Sequence, residues 1–268
     1  MLEHPQSDHS YRRGCPLCTE ARERRERDRV APLRAGRVLT SRPGPLPVDA
    51  VMHALQKGAV GLRPVGCVVG RDRASLEVPL EAGGTLHLSA SRRPEAPDDV
   101  EGQLARHPLW RSTRRRVRRW RGQWLVSAEL EGPDAIEVQL VFTRVLAALA
   151  QAGDALAVAW DDPLHPVPAE EFIRRAGAAS RIAPPTELWI RPSVAYDART
   201  DRVDVLSWGM GHLGAPEVSV DAPAARRNEA LTRLYRHTEA LLVAPSPEGF
   251  AIRESPVHPG RGVLSVFL

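Results

Sequence analysis

The stretch DAIEVQLVFTRVLAALAQAGDALAVAW, residues 134–160, decides the fold class of this 268-residue chain. Its first two thirds carry apolar residues every three or four positions, which predicts an amphipathic helix over 134–151. Asp134 suits the start of such a helix and Gly153 its end. The run 155–160 that follows is continuously apolar, as in a strand buried on both faces. A long helix running into a buried strand indicates a packed domain with both elements.

Strand-like patterns dominate the sequence outside this stretch. Alternating or short apolar runs predict strands at 60–69, 74–80, 85–90, 123–131, 187–197, 203–208, 217–221, 250–254 and 263–268. Helical spacing recurs at 49–57, 98–106, 168–178 and 228–243. The pair Gly83–Gly84 indicates a hairpin within an antiparallel meander. The predicted fold class is therefore α+β: a mixed, largely antiparallel sheet packed by two long helices, with a short N-terminal appendage.

The domain organisation follows from a change of composition near residue 46. Residues 1–46 combine a CPLC motif, a run of alternating charges and a Pro/Gly/Arg-rich stretch. The charged run has few apolar residues, so a helix there would be solvated on nearly all sides. We therefore predict a partly disordered appendage over 1–46 and an α+β domain over 47–268, with a sub-boundary near 122–133.

The overall composition is that of a globular chain. Hydrophobic residues make up 43% of it, and no run approaches the roughly 18 consecutive apolar residues of a membrane-spanning helix. The first residues lack the apolar core of a secretory signal, which predicts a cytoplasmic protein without a membrane association. The net charge is +4, and Lys57 is the only lysine. This arginine bias is typical of GC-rich codon usage, so the charge alone does not indicate a nucleic-acid partner.

The CPLC motif is the first candidate site. Cys15 and Cys18 have the spacing of a zinc half-site, and His4 and His9 upstream would complete four ligands. In a standard zinc finger the Cys-x-x-Cys pair comes first and the histidine pair follows it. Here the two histidines come before the two cysteines. A thioredoxin-like redox pair and unliganded thiols remain alternatives. Cys67, in an apolar strand-like run, is predicted to be a small buried hydrophobe.

The segment RSTRRRVRRWR, residues 111–121, is the second candidate site. Its apolar residues and the neighbouring tryptophans fall three or four residues apart, which indicates a helix with one buried stripe and a solvated cationic side. If that side is used, an acidic protein partner is favoured over nucleic acid. The candidate contact residues are Arg111, Arg114, Arg115, Arg118, Arg119 and Arg121.

The third candidate site combines two polar loops that follow predicted strands. WDDPLH covers 160–165 and WGMGHLG covers 208–214. Carboxylates and imidazoles at strand ends are typical of metal or acid–base sites. The candidates are Asp161, Asp162, His165, His212 and Glu217. Asp-Asp-Pro is also a common turn opener, and the glycines would supply positive φ. No nucleotide-binding, serine-hydrolase or zinc-protease motif is present.

The second half of the chain resembles the bacterial domain of unknown function 4261 family. The resemblance rests on VFTRVLAALAQAGDALAVAW, PAEEFIRRA, PTELWIRPSVAYD and LSWGMGHLGAPEVSV, followed by a long helix. It covers roughly 60–255 and is strongest over 136–221. It implies an α+β domain without catalytic residues to transfer. Because such domains often occur beside interaction or toxin–immunity genes, it also implies a partner-binding role.

Taken together, the residues and the resemblance favour a non-enzymatic protein-interaction domain of immunity or accessory type. A metal-dependent hydrolase using the 161–165 and 209–217 loops is one alternative, and a zinc-stabilised N-terminal module is another. Apart from zinc, no cofactor is indicated.

Overall fold

The computed structural model describes residues 34–56, 63–81, 84–92, 117–129, 134–161, 164–243, 251–254 and 262–267. The strands are β1 Arg34–Thr40, β2 Val68–Val69, β3 Ser75–Pro79, β4 Thr85–Arg92, β5 Gly122–Glu129, β6 Ala155–Asp161, β7 Leu164–Pro168, β8 Arg191–Asp197, β9 Arg202–Trp208, β10 Glu217–Pro223, β11 Ala251–Glu254 and β12 Gly262–Phe267. The α-helices are α1 Val48–Gln56, α2 Ala135–Ala152, α3 Ala169–Ala178, α4 Thr186–Trp189 and α5 Arg227–Val243.

The strands form two sheets. The first has seven strands in the order β2-β3-β4-β5-β1-β6-β7, all antiparallel, and the second has five in the order β11-β12-β10-β9-β8. In the second sheet β10 and β12 are parallel, and the other pairs are antiparallel. The long helix α2 contacts β1 and β6, whereas α5 packs on β9 and β10. This confirms the predicted α+β class with two long helices, and it divides the strands over two sheets.

The N-terminal boundary predicted at residue 46 is corrected by β1. This strand lies inside the first sheet, with β5 on one side and β6 on the other. Its sequence RAGRVLT does not predict a central strand, because two arginines and a glycine interrupt the apolar pattern. β1 packs closely on α2 at Gly36, since a Cβ there would lie 3.0 Å from Cδ1 of Leu146. The sheet domain thus begins at or before residue 34, and residues 1–33 lie outside the described part.

The start and end of α2 follow the predicted signals. The Asp134 carboxylate accepts hydrogen bonds from the amides of Ile136, at 2.8 Å, and Glu137, at 3.4 Å. Gly153 ends the helix, but not through a left-handed conformation, since its φ is −109°. A Cβ at Gly153 would lie 2.3 Å from the Trp124 ring, so close packing against β5 requires the glycine.

The core continues from one sheet to the other, and the predicted sub-boundary near 122–133 falls inside the first sheet. Here β5 pairs with both β4 and β1. Chain order changes sheets only between β7 and β8. Buried contacts cross that junction: the Trp189 indole donates to Thr143 Oγ1 of α2 at 2.8 Å. The 3-10 turn Met210–Leu213 also contacts α2.

Three further details refine the predictions. The segment predicted as a strand over 187–197 begins within the one-turn helix α4, which follows two prolines, and the β-strand itself starts at Arg191. The helix predicted at 98–106 lies outside the described residues. By length and composition α2 is apolar enough to cross a membrane, but 61% of that window is buried within the protein, as expected for a core helix.

Candidate functional site

His165 of the WDDPLH loop is part of the protein interior. It lies on β7, is fully buried, and its Nε2 is 2.9 Å from the main-chain oxygen of Glu187 in α4. Burial, opposed by this hydrogen bond and reinforced by the charge of Arg191, lowers the pKa of His165 to about 4. The ring is therefore neutral at pH 7 and holds α4 against the edge of the first sheet.

Glu217 of the second loop is also engaged within the fold. Its residue is 7% exposed, and its Oε2 accepts a 2.6 Å hydrogen bond from the Ser207 hydroxyl. Its Oε1 accepts from the amides of Gly209, at 3.0 Å, and Gly211, at 3.4 Å. Gly209 and Gly214 have φ values of 118° and 76°, as predicted for glycines that supply positive φ. The carboxylate thus stabilises the 3-10 turn Met210–Leu213, which contacts α2.

We expect Glu217→Gln to loosen this turn. The neutral amide has one oxygen acceptor instead of two and places an NH₂ group opposite donors. Leaving such buried donors unsatisfied lowers the free energy of unfolding by about 1–3 kcal/mol. Urea denaturation measures the loss, and hydrogen exchange should accelerate at 209–214. Thr232→Ala on the exposed face of α5 is the control. Unchanged stability and exchange in Glu217→Gln would contradict this role.

The hydrolase candidates whose side chains the structure describes are His165, His212 and Glu217, and these three do not form a metal-binding group. His165 and Glu217 have their functional atoms committed to internal hydrogen bonds, whereas His212 is exposed. Across the described ranges, no group of three or more His, Cys, Asp or Glu residues has the geometry to hold a metal ion. The side chains of Asp161 and Asp162 lie outside the described part of the chain, so their role stays a prediction.

An ion cluster joins α3 to α4. Arg175 Nη1 lies 2.7 Å from Glu187 Oε1, and Arg175 Nε donates to Glu171 at 2.5 Å. The hydrogen bond from Arg174, aided by Arg175, holds the pKa of Glu171 below its ordinary value despite partial burial. Tyr235 of α5 packs nearby, and burial raises its pKa. Because the positive and negative charges of the cluster neutralise one another, we interpret it as a structural contact between α3 and α4.

The cysteine-containing candidates divide into two cases. His4, His9, Cys15 and Cys18 lie outside the described residues, so the zinc-module hypothesis stays a prediction. Cys67 was predicted to be buried, and this is wrong: it is exposed. The reason is its position beside β2, the two-residue edge strand of the first sheet, where Val65 and Val68 are 63% and 64% exposed as well.

The arginine-rich segment enters the described part of the chain at residue 117. Val117 and Trp120 are fully buried, and Trp120 N donates to Val117 O at 2.9 Å, which closes a tight turn. Arg118, Arg119 and Arg121 are exposed. The predicted division into a buried apolar stripe and a solvated cationic side therefore holds over 117–121. Arg111, Arg114 and Arg115 lie outside the described residues.

Two further arginines join this turn at the same end of the first sheet. The amide of Arg121 donates to Thr40 O, which places the turn beside the end of β1 and the loop that follows it. That loop carries Arg42, and the Arg73 main-chain oxygen accepts from Leu46 in it. We call the exposed set the basic end. Its members are Arg42, Arg73, Arg118, Arg119 and Arg121.

Two concavities open at the basic end, and Asp154 lines both. One has a volume of about 530 Å³ and is lined by Arg119, Ile173 and Glu170, among others. The other, of about 300 Å³, lies between the 42–47 loop and the turn from α2 to β6. The Asp154 carboxylate accepts a hydrogen bond from the Ser41 hydroxyl, so it is committed within the protein.

Sequence reasoning missed Arg42 and Arg73. Arg42 lies in the Pro/Gly-rich stretch that composition assigned to the appendage, and Arg73 lies in a short turn between β2 and β3. The available sequence signal was local: Gly70 and Asp72 are residue types that favour turns. In the structure Asp72 and Arg73 have φ values of 57° and 54°. Only the pairing of β1 brings these two loops to the 117–121 turn.

A scan against models of known protein families, a search of curated proteins and a search of solved structures each find no match to this chain. The resemblance to the domain of unknown function 4261 family therefore stays a prediction.

Proposed function

We propose that this chain is a non-enzymatic protein-interaction domain that binds an acidic partner protein through the basic end. The observation that carries the proposal is the convergence of five exposed arginines from three separate loops. Within the described part of the chain, Arg42, Arg73 and Arg119 have no ion-pair partner. Several arginines elsewhere pair with carboxylates, for example Arg202 with Asp221 at 2.9 Å.

The local charge balance supports an acidic partner. The C-terminal end of α2 lies at the basic end and contributes about half a negative charge through its macrodipole. Asp154 and Glu170 line the concavities and add two full negative charges. Five guanidinium groups exceed these together, so the surface keeps a positive potential. Such a surface steers an acidic protein toward it and raises the association rate at low salt.

A protein partner accounts for this surface better than a nucleic acid. Single-stranded nucleic acids are bound by stacking bases on exposed aromatic side chains beside the basic groups. The two tryptophans that the structure describes at the basic end are buried: Trp120 is 0% exposed and Trp124 is 6% exposed. The concavities instead offer aliphatic and proline side chains next to guanidinium groups, as in the polar rim and apolar centre of a protein interface.

The test is capture from a lysate of the host cell, with the captured proteins identified by mass spectrometry. We expect wild-type protein to retain acidic proteins at low salt, and Arg118→Ala with Arg119→Ala to lose them. Removing charges at the rim of an interface weakens the association and makes it less dependent on the salt concentration. Arg226→Ala is the matched control, since Arg226 is a similarly exposed arginine beside α5. Equal capture by wild type and double variant, or no capture by either, would contradict the proposal.

A further inference from the structure

The smaller concavity of the basic end is the cleft between the 42–47 loop and the α2–β6 turn. Its walls are Pro43, Pro45 and Trp124, with Ala152 and Gly153 at its helical side. Arg42 and Arg73 lie on its rim and are exposed. We propose that this cleft binds an extended, glutamate- or aspartate-rich segment of the acidic partner and seats one of its apolar side chains. This inference rests on the proposed function and names the docking groove within it.

The cleft is held in shape by contacts that do not depend on a ligand. The Trp124 indole donates to the main-chain oxygen of Gly44 at 3.0 Å, which ties the loop to β5. Leu46 is buried, and its amide donates to Arg73 O at 2.9 Å. At Gly122 a Cβ would lie 2.6 Å from Pro43 Cα, so strand and loop are in direct contact. A preformed groove binds a segment without the entropic cost of ordering its own walls.

The chemistry of the cleft selects the occupant. Its floor is apolar and its volume of about 300 Å³ takes one side chain, not a folded element. The prolines of the loop, at 43, 45 and 47, have no amide N–H to donate. Recognition therefore comes from the two guanidinium groups, each of which donates a pair of hydrogen bonds to a carboxylate, and from the apolar wall. The one carboxylate in the lining, Asp154, is already bonded to Ser41.

The test distinguishes binding in the cleft from attraction by the surface charge, because it uses a substitution that leaves every arginine in place. Gly44 lines the cleft, and a Cβ there meets no atom within 4 Å, so Gly44→Leu adds a bulky side chain at the cleft wall without a clash at its base. Gly177→Leu is the matched control, because Gly177 is exposed on α3 and its Cβ position is equally open. The probe is a fluorescein-labelled peptide rich in glutamate with interspersed leucines, followed by fluorescence anisotropy.

We expect the peptide to bind wild-type protein and Gly177→Leu equally, and its Kd to rise about tenfold or more in Gly44→Leu. Arg42→Gln with Arg73→Gln should weaken binding similarly, since it removes the rim charges. A peptide with glutamine in place of glutamate should not bind. Thermal unfolding of each variant shows that it is folded.

The failures of the two proposals are distinguishable. Unchanged peptide affinity in folded Gly44→Leu overturns the groove. The groove is equally overturned if wild type does not bind the peptide. In both cases the capture experiment with Arg118 and Arg119 decides the proposed function separately. If a phosphate-containing oligonucleotide binds the wild type more tightly than the peptide does, the choice of an acidic protein segment is overturned.

Discussion

Trp120→Ala is expected to lower the free energy of unfolding by about 3–5 kcal/mol, the range for deleting a large buried aromatic side chain. Trp120 is fully buried and is the largest of the fully buried side chains described. Its removal leaves a cavity under the turn that presents Arg118 and Arg119. The variant should therefore also lose partner capture, although no charge has changed.

Urea denaturation followed by circular dichroism measures this loss of stability. Arg119→Ala is the control from the same turn: its side chain is exposed and without an ion pair in the described structure, so the change in stability should stay within about 0.5 kcal/mol. A loss below about 1 kcal/mol in Trp120→Ala would show that the indole is not part of the core. Comparing the two variants thus distinguishes the effect of the buried indole on stability from the effect of the arginine charge.

The stability of the protein is expected to fall by about 3 kcal/mol between pH 6.5 and pH 4 because of His165 alone. Its pKa is about 4 in the folded protein and 6.5 in the unfolded chain. Below pH 6.5 the unfolded chain takes up a proton that the buried ring does not, so acid favours unfolding. The loss is complete once the pH reaches the folded value. Above pH 6.5 both states are neutral and this contribution is flat.

The check is the free energy of unfolding, measured by urea denaturation at steps across this pH range. His165→Gln keeps a hydrogen-bonding side chain near Glu187 O but cannot titrate, so its curve should lack the His165 component and fall less steeply. The variant is less stable at pH 7, because glutamine fills the ring's space imperfectly. Equal slopes for wild type and His165→Gln would contradict the assignment of a depressed pKa to this ring.

Much of the fold was predictable because it depends on local patterns. The period of the apolar residues and the Asp134 cap defined α2 within one residue at each end. The same reasoning separated buried Val117 and Trp120 from the exposed arginines between and beside them. These features depend on neighbours within one or two turns of chain, which the sequence displays directly.

The misplaced features depend on contacts between distant residues. The predicted appendage includes β1 because of the Pro/Gly/Arg-rich composition around it, although Gly36 packs closely against Leu146, more than a hundred residues away. Cys67 has an apolar neighbourhood in sequence but an edge position in the sheet. Glu217 resembled a catalytic carboxylate until its bonds to Ser207 and Gly209 were known. In each case the deciding neighbour is invisible to a local pattern.

The sequence by itself determined the α+β class, the two long helices and the division of 117–121 into buried apolar residues and exposed arginines, since each follows from residue spacing and burial preference. Only the tertiary structure decided that β1 lies between β5 and β6, and thereby that Arg42 and Arg73 join that turn around a preformed cleft. The physical reason is that strand pairing satisfies main-chain hydrogen bonds, which every residue except proline offers equally. Which strands become neighbours is settled by packing of the whole core.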